Sequence, residues 1–381
     1  MACGLASGRF VFVREFFEVE RQRSVLYNPG EFQGCSGLRS GFADSTVCLQ
    51  DRRANVANPL LNPSSVRQFG SGRPLVVIAI GGNAMMRPED DGSLGQQYKR
   101  AVEVAKVLHG LCKRGYRVML VHGNGPQVGQ ELIRSEEAST KVPLASLDAC
   151  VASTQGTMGY QLELALYNQS HALRVATVLT LVEVAADDPG FKTPTKPVGP
   201  YFTALRARDL AKHNKWQMTE DSGRGWRKVV ASPKPIGVVN IGAIDAAMSR
   251  MDIVIAGGGG GVPVIRDSNG RMSGVEAVID KDLTSALLGQ LLGAQMMVVL
   301  TAVDHVSVDF GKPTQRRIDQ MTVAQARLFL EQGQFPAGSM GPKVQAAVDF
   351  ARTTGRPAAI GAVGQVARVL AGQAGTRVVA D

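Results

Sequence analysis

The sequence has little of what metal-binding, disulfide-bonded or membrane-spanning proteins need. It contains only five cysteines in 381 residues, with no C-x-x-C pair and no spacing that matches a zinc site. No apolar stretch approaches the length of a membrane-spanning helix. We therefore predict a reducing compartment, no structural disulfide and no membrane partner. The cysteines are Cys3, Cys35, Cys48, Cys112 and Cys150.

Several catalytic and nucleotide-binding signatures are also absent. The sequence has no G-x-x-x-x-G-K-[ST] loop, no Gly-x-Ser-x-Gly elbow, and no G-x-G-x-x-G that opens a helix with an acidic residue about twenty positions later. Its five histidines show no metal-binding spacing. These absences argue against a P-loop NTPase, an α/β serine hydrolase, a dinucleotide-binding enzyme and a histidine-based metal site.

The chain carries a formal net charge of +9, but the charge is not arranged as in a nucleic-acid-binding protein. Aromatic residues make up only 6% of the sequence, and no basic run alternates with them. A positive field also suits an enzyme whose substrates are anions. We therefore expect small anionic ligands, and no nucleic acid, as partners.

Residues 1–72 differ in composition from the rest of the chain. They contain eight Arg, six Asp or Glu, and no Lys. An arginine-rich, lysine-free segment suits an organelle-targeting peptide, whereas its acidic residues do not. Three interpretations stay open: a disordered or non-native extension, a targeting segment, and an added functional module. We expect a cytoplasmic protein, with organelle import through this segment as the alternative.

A regular alternation of strands and helices begins at Arg73. Leu75–Ile80 is a continuous apolar run, which is typical of a strand buried on both faces. Leu94–Lys113 predicts an amphipathic helix, and Val118–Val121 predicts the next strand. A Gly-Asn turn follows each strand, at the edge where open parallel sheets bind ligands.

The same alternation continues toward the C-terminus with one interruption. Asp187–Ser232 is rich in Pro, Gly and charge and is too long for an ordinary connection, so we predict an inserted flap or small protruding subdomain. The remaining segments predict an α/β protein, a three-layer αβα sandwich around a mostly parallel sheet. The predicted helix is Cys150–Asn168, and the predicted strands are Ala176–Val182, Asp252–Ala256, Met296–Thr301 and, as the last core strand, Ala358–Ile360.

Two lysines stand at predicted helix starts, where the helix dipole mildly disfavours a cation. Lys343 follows Pro342, which is a good first helical residue. Lys281 precedes Asp282, which we interpret as the N-cap of a helix from Leu283 to Leu292. An anion between the two lysines would make both positions favourable, and phosphate is the usual candidate. The alternative is that both lysines are ordinary solvated side chains.

Three glycine-rich turns follow predicted strands. Gly81-Gly82-Asn83 and Gly123-Asn124-Gly125 offer backbone N–H groups with nothing bulky nearby. Gly257–Gly261 lets the backbone approach a ligand closely, with a flexible loop as the alternative. We interpret His122, at a strand end, as a packed and hydrogen-bonded residue. Glycine turns and lysines at one sheet edge are the components of phosphoryl transfer, which depends on positioning and charge neutralisation.

Residues 75 to about 376 resemble the carbamate kinases of the amino acid kinase family. The motifs that carry the resemblance keep the family's order and spacing across almost the whole core. They are Ala79–Ala84, His122–Gly129, Pro194–Pro200, Gly223–Val230, Val275–Asp282 and Gly338–Lys343. The Gly-Arg-Gly-Trp-Arg-Lys and Pro-Thr-Lys-Pro stretches belong to carbamate kinases rather than to the wider family.

The resemblance implies the amino acid kinase fold, a homodimer, and reversible phosphoryl transfer between ATP and carbamate. It implies a carbamate-binding or carbamoyl-phosphate-binding lobe at 73–250 and a nucleotide-binding lobe for ATP or ADP at 251–381. Mg²⁺ would be carried by the nucleotide and not by protein ligands. The family usually forms ATP from carbamoyl phosphate that arises in arginine catabolism, by the arginine deiminase pathway, or from agmatine.

The same resemblance implies a role for each site residue. Lys281 and Lys343 would neutralise the transferred phosphoryl group, Asp282 would order them, and Lys196 would reach in from the flap. The residues implied to hold carbamate and the phosphoryl oxygens are Gly81, Gly82, Asn83, Gly123, Asn124 and Gly125. The residues implied to line the nucleotide pocket are Gly257, Gly258, Gly259, Gly260, Asp304, Gly338, Met340 and Lys343.

Three positions depart from the family pattern, and two other functions stay open. This chain has Ala302 and His305 where the family often has Gly and Tyr, and Ala231 where proline is common. One alternative is another small-acid kinase of the same fold, of the N-acetylglutamate kinase type, against which the flap motifs argue. The other is a catalytically inactive nucleotide-binding regulatory protein, against which Lys281, Asp282 and Lys343 argue.

Overall fold

The computed structural model describes residues 72–87, 89–220, 225–336 and 338–381, and at Asn83 and Pro200 it describes the backbone alone. These residues lie within one compact unit, Gln68–Asp381. The interpretations of residues 1–72 fall outside the described residues, apart from Gly72. The division into two lobes at residue 250 stays a prediction.

Strands and helices alternate along the described chain. The strands are β1 (Leu75–Ile80), β2 (Arg117–His122), β3 (Val175–Val178), β4 (Leu181–Val184), β5 (Lys196–Phe202), β6 (Met218–Glu220), β7 (Trp226–Val230), β8 (Pro235–Val238), β9 (Ile253–Ala256), β10 (Val262–Arg266), β11 (Met272–Gly274), β12 (Met296–Thr301), β13 (Val306–Val308), β14 (Arg316–Ile318), β15 (Gln320–Thr322), β16 (Ala358–Ala362) and β17 (Thr376–Val379). The helices are α1 (Leu94–Lys113), α2 (Gly125–Glu137), α3 (Leu147–Gln169), α4 (Ala204–His213), α5 (Ile241–Met248), α6 (Lys281–Leu291), α7 (Val323–Glu331), α8 (Met340–Thr354) and α9 (Val366–Leu370). Among these helices, none has both the length and the apolar character that a membrane span requires.

The described residues form a central sheet of eight strands in the order β15-β17-β16-β12-β1-β2-β9-β3. Neighbouring strands are parallel except β16 and β17. Val77 and Ala79 of β1 pack with α6 and α8 on one face, whereas Ile78 and Ile80 pack with α1 and α3 on the other. Burial on both faces explains the uninterrupted apolar run of this strand. The predicted three-layer α/β fold is confirmed.

Local sequence explains where two of the long helices begin or end. The Ser93 side chain accepts a hydrogen bond from the Gln96 N–H and caps the start of α1. At the end of α8, Gly355 adopts a left-handed conformation with φ of 67°, which glycine tolerates best. The bounds predicted for α1 are confirmed.

Two strand predictions are wrong. Ala176–Val182 is not a single strand, because β3 belongs to the central sheet and β4 to a second sheet, β11-β10-β4-β8. Thr180 lies between them and is bound on both sides, since its N–H donates to Gln155 Oε1 and its hydroxyl accepts from the Gly257 N–H. β16 is not the last core strand, because β17 adds beside it in the antiparallel direction.

The insertion at Asp187–Ser232 forms a small sheet of its own. Strands β5, β7 and β6 pair antiparallel, and α4 lies between β5 and β6 in the chain. β5 approaches α2 so closely that a Cβ atom on Gly129 would lie 2.3 Å from Gly199 Cα. The predicted flap therefore rests on the helix that follows the second Gly-Asn turn.

Candidate active site

One buried carboxylate holds Lys281 and Lys343 together. Asp282 is 2% exposed, and its Oδ1 accepts from Lys281 Nζ at 2.5 Å while its Oδ2 accepts from Lys343 Nζ at 2.8 Å. The two lysines come from α6 and α8, which share a hydrophobic core with β1. The structure thus brings together three residues that the sequence analysis assigned to catalysis.

Asp282 is ionised despite its burial. Burial raises its pKa, but the Lys281 and Lys343 ammonium groups outweigh this effect and lower the pKa to about 2. Burial lowers the pKa of Lys281, and the Lys343 charge adds to this effect, whereas the Asp282 carboxylate opposes it. Because an ammonium group has three N–H donors, each lysine retains donors for a further anion.

The N-cap assigned to α6 from the sequence is wrong by two residues. Asp280, and not Asp282, is the N-cap, because its Oδ1 accepts from the Asp282 N–H at 2.9 Å. Likewise, α8 begins at Met340 rather than at Pro342. Asp282 therefore lies inside the first turn of α6. The sequence predicted an anion, such as phosphate, between the two lysines. In the structure the anion between them is the Asp282 carboxylate.

The flap lysine also reaches the start of α6. Lys196, the first residue of β5, donates from Nζ to Asp280 Oδ2 at 2.6 Å. From the sequence, either Asp280 or Asp282 could cap the helix or hold a lysine ammonium group, and only Asp282 was assigned to the site. The only signal for Asp280 is the order Asp-Lys-Asp, and that order cannot reveal a partner 84 positions away.

The first two glycine turns meet each other and Lys281. A Cβ atom on Gly123 would lie 2.7 Å from Gly82 N and 3.2 Å from both Cδ and Cε of Lys281. Real Cβ atoms do not approach a backbone nitrogen so closely, so glycine is needed here. This contact places the stem of Lys281 beside the second turn.

Both turns lead directly into helices. Gly81 is the N-cap residue of the short 3₁₀ helix Gly82–Ala84, and Asn124 is the N-cap residue of α2. The first N–H groups of a helix have no intrahelical acceptor, and together with the helix dipole they favour an anion. The backbone at Gly125 therefore suits a phosphoryl group or carbamate. The side chain of Asn83 lies outside the described residues.

The five-glycine run packs against the second glycine turn. A Cβ atom on Gly258 would lie 2.6 Å from the His122 ring, and one on Gly259 would lie 2.2 Å from the Asn124 amide. The carbonyl oxygen of Gly260 accepts from Thr284 Oγ1 at 2.8 Å. The backbone of the five-glycine run therefore does approach another group closely, and that group is the second glycine turn of the protein itself.

His122 and Asn124 are buried beneath this contact. Burial lowers the pKa of His122 to about 4, although the Gly123 carbonyl opposes the effect at 3.2 Å from Nδ1, so the ring is neutral at pH 7. The interpretation of His122 as packed and hydrogen-bonded is confirmed. Asn124 Nδ2 donates to Thr154 Oγ1 at 2.8 Å, so its side chain supports the turn in this structure.

Besides the five-glycine run after β9, the residues predicted to bind nucleotide lie after β12 and around the start of α8. Asp304 is exposed and accepts from Gln365 Nε2 at 3.2 Å, at the edge of a cavity of about 530 Å³. His305 lines the same cavity. Met340 is half-buried against the core, and a Cβ atom on Gly338 would meet open space. Because β12, β1, β2 and β9 are parallel neighbours, their carboxyl ends lie at one edge of the sheet, the edge from which Asp304 and the glycine turns extend.

The donor set at this edge does not form a protein-held metal site. In the described ranges, no group of three or more His, Cys, Asp or Glu side chains could hold an ion. Asp282 uses both carboxylate oxygens on lysines. Mg²⁺ prefers oxygen ligands and commonly binds through substrate phosphates and waters. The site therefore fits a magnesium ion carried by the nucleotide.

Comparison with known proteins places the chain in a family. The amino acid kinase family model matches residues 74–362. The carbamate kinase of Lentilactobacillus hilgardii is 43% identical over 298 residues, which cover 76% of this chain and 92% of that protein. The carbamate kinase-like protein YahI of Escherichia coli K12 is 41% identical over 313 residues, which cover 81% of this chain and 99% of that protein. The solved structure of a Giardia lamblia carbamate kinase bound to AMP-PNP is 37% identical with a TM-score of 0.75, and the match covers 81% of this chain and 99% of that one. The chain therefore belongs to the amino acid kinase family, and within it to the carbamate kinase group.

Proposed function

We propose that the protein is a carbamate kinase, which converts ATP and carbamate reversibly into ADP and carbamoyl phosphate. The observation that carries the proposal is the buried cluster of Lys281, Asp282 and Lys343 beside two glycine turns. Phosphoryl transfer asks the protein mainly for alignment and charge neutralisation. Two ammonium groups with free donors, next to the N-terminal backbone N–H groups of α2, supply both.

In the proposed reaction, a carbamate oxygen attacks the γ-phosphorus of ATP, and the bond from that phosphorus to the bridging oxygen of ADP breaks. Carbamate is already an anion, so its oxygen needs no strong general base. A neutral, buried His122 agrees with this. We assign Lys281, Lys343 and Lys196 to the charge of the transferred group. Mg²⁺, when bound with the nucleotide, neutralises further phosphate charge.

The glycine turns are assigned to the two substrates. We assign Gly81–Asn83 and Gly123–Gly125 to carbamate and the phosphoryl oxygens, because the second turn contacts Lys281 and the first turn packs on the second. We assign Gly257–Gly260 to the nucleotide phosphates, together with Asp304, Gly338 and Met340 for the rest of ATP. Support comes from the position of Gly257–Gly260 after β9 and of Asp304 after β12, at the carboxyl ends of parallel strands, where open sheets bind ligands.

We also propose a homodimer that forms ATP from carbamoyl phosphate in the cytoplasm, in arginine or agmatine catabolism. β3 is an edge strand of the central sheet, and Tyr160 and Leu164 of α3 and the nearby Leu179 are exposed. An apolar surface beside an open sheet edge suits a second copy of the chain. Light scattering at micromolar concentration tests the assembly, and a monomeric mass would refute it.

The activity is tested by mixing the protein with Mg-ADP and carbamoyl phosphate and measuring ATP. We expect ATP to form, and N-acetylglutamyl phosphate to be a far poorer donor. ATP formed only from the acylated amino acid phosphate would favour the related small-acid kinase. If neither donor gives ATP, the inactive regulatory protein is the better description.

Lys343→Ala tests the assignment of the site. We expect a loss of about 100-fold or more in turnover, the size seen when one preorganised charge-stabilising group is removed. Lys312→Ala is the matched control, because Lys312 pairs with Asp309 on the surface. Near-normal turnover in Lys343→Ala would reject the assignment, whatever the control shows.

A further inference from the structure

Two carboxylates stand at the start of α6, and the assigned roles account for only one of them. Asp282 holds Lys281 and Lys343. Asp280 caps the helix through Oδ1, which accepts from the Asp282 N–H at 2.9 Å. An N-cap needs only one acceptor atom, and Ser, Thr or Asn would serve equally well. Capping therefore leaves the second oxygen of Asp280 unexplained.

That second oxygen binds the flap. Asp280 Oδ2 accepts from Lys196 Nζ at 2.6 Å, in an ion pair whose side chains are 13% and 33% exposed. Because Lys196 opens β5, this pair ties the inserted sheet to the helix that carries Lys281. A carboxylate is the one side-chain group that caps the helix with one oxygen and holds an ammonium group with the other.

We propose that Asp280 is a positioning residue for the phosphoryl transfer: it holds Lys196 at the reacting phosphoryl group. This role rests on the proposed carbamate kinase activity. Asp280 does for Lys196 what Asp282 does for the other two lysines. The Asp280 carboxylate accepts from the backbone N–H of Asp282, so both carboxylates lie at the same helix start and together they bind all three ammonium groups.

The arrangement leaves charge and donors for the substrate. Three ammonium groups and two carboxylates leave one net positive charge in the cluster. Lys196 uses one of its three N–H donors on Asp280, so the others can point to a phosphoryl oxygen. The Lys196 side chain is one-third exposed, so its ion pair with Asp280 contributes little to the free energy of unfolding. Its main effect is to hold Lys196 in place.

A second contact keeps the test of this role clean. The flap also rests on α2 through Gly199, whose Cα would lie 2.3 Å from a Cβ atom on Gly129. That contact is backbone packing and carries no charge. Replacing Asp280 by Asn preserves the packing and the helix cap, since Asn caps as well as Asp does. Only the charge that holds Lys196 is lost.

The experiment compares Asp280→Asn, Lys196→Ala and the double variant in the assay of ATP formation. We expect Asp280→Asn to raise the KM for carbamoyl phosphate about tenfold, as loss of a partly exposed charge-assisted hydrogen bond does. The KM for ADP should stay within about twofold of the wild-type value, and the unfolding temperature within about 3 °C. The double variant should match Lys196→Ala alone within about twofold, because the two residues act as one unit.

Asp188→Asn is the matched control, because the Asp188 oxygens accept from the backbone N–H groups of Gly190 and Lys234 at the base of the same flap. It should keep the wild-type KM. Three results would overturn the role of Asp280: unchanged kinetics in Asp280→Asn, equal rises in both KM values, or additive losses in the double variant. A wild-type protein that forms no ATP would instead reject the proposed activity and this role with it.

Discussion

Replacing Asp282 by Asn should destabilise the fold strongly, although the two side chains have nearly the same shape. The substitution leaves no cavity, but it removes the carboxylate that Lys281 and Lys343 share. Those side chains are 11% and 19% exposed, so their charges would stay largely buried without compensation. Removing one partner of a buried ion pair costs about 3–5 kcal/mol, and we expect a loss of that size in the free energy of unfolding at pH 7.

Inorganic phosphate should restore part of that loss. The variant has one more positive charge at a site with free N–H donors, so it should bind an anion more tightly than the wild-type protein does. A ligand at ten times its Kd adds about 1.4 kcal/mol to the free energy of unfolding. Urea unfolding with and without phosphate, at constant ionic strength, measures this gain in both proteins.

Asp349→Asn is the control for burial alone. Burial raises the pKa of Asp349, and its carboxylate accepts from Gln345 Nε2 at 3.0 Å. An amide there should change the free energy of unfolding by less than about 1 kcal/mol. The reasoning about Asp282 fails if Asp282→Asn loses no more than this control, or if phosphate stabilises the wild-type protein just as much.

Three further predictions concern His122, Gly259 and the two cysteines of the described residues. Burial lowers the folded-state pKa of His122 from its ordinary value of 6.5 to about 4. The wild-type protein should therefore lose about 3 kcal/mol of unfolding free energy as pH falls from 6.5 to 4, at about 1.4 kcal/mol per pH unit. His122→Asn should flatten that part of the pH profile, measured by urea unfolding. Gly259→Ala should abolish ATP formation, because its Cβ would overlap the Asn124 amide, whereas Gly270→Ala, also at positive φ but in open space, should cost only about 1 kcal/mol of unfolding free energy. Because burial raises the pKa of Cys112 to about 12 and of Cys150 to about 11, peptide mapping should find neither thiol alkylated at pH 7.5 until urea unfolds the protein.

The elements predicted best from the sequence are those whose signal is local and repeated. The apolar run at Leu75–Ile80 and the helical periodicity at Leu94–Lys113 match the observed bounds of β1 and α1. In both segments the pattern of buried residues follows the pattern of apolar residues, so the sequence alone indicates the type of element. The insertion at Asp187–Ser232 was predicted for the opposite reason, because its composition cannot continue the surrounding pattern.

The details that failed depend on partners far away in the sequence. Asp280 and Asp282 are equally good N-caps by local rules. Their roles are separated by Lys196, 84 positions from Asp280, and by Lys343, 61 positions from Asp282. Similarly, the apolar stretch around Thr180 predicts one strand from the sequence. In the structure Thr180 is hydrogen-bonded to Gln155 and Gly257, which belong to other parts of the chain, and the stretch forms two strands.

For the five-glycine run, the sequence indicates a close backbone contact but not the group that is contacted. Glycine at Gly259 indicates close approach, and a nucleotide phosphate is the expected neighbour when only the sequence is known. In the structure the nearest group is the Asn124 amide, on the turn assigned to the other substrate. Phosphoryl transfer requires donor and acceptor sites at a fixed separation. Packing one turn directly on the other sets that separation by contacts within the protein, so glycine would be required at this position even in the absence of any ligand.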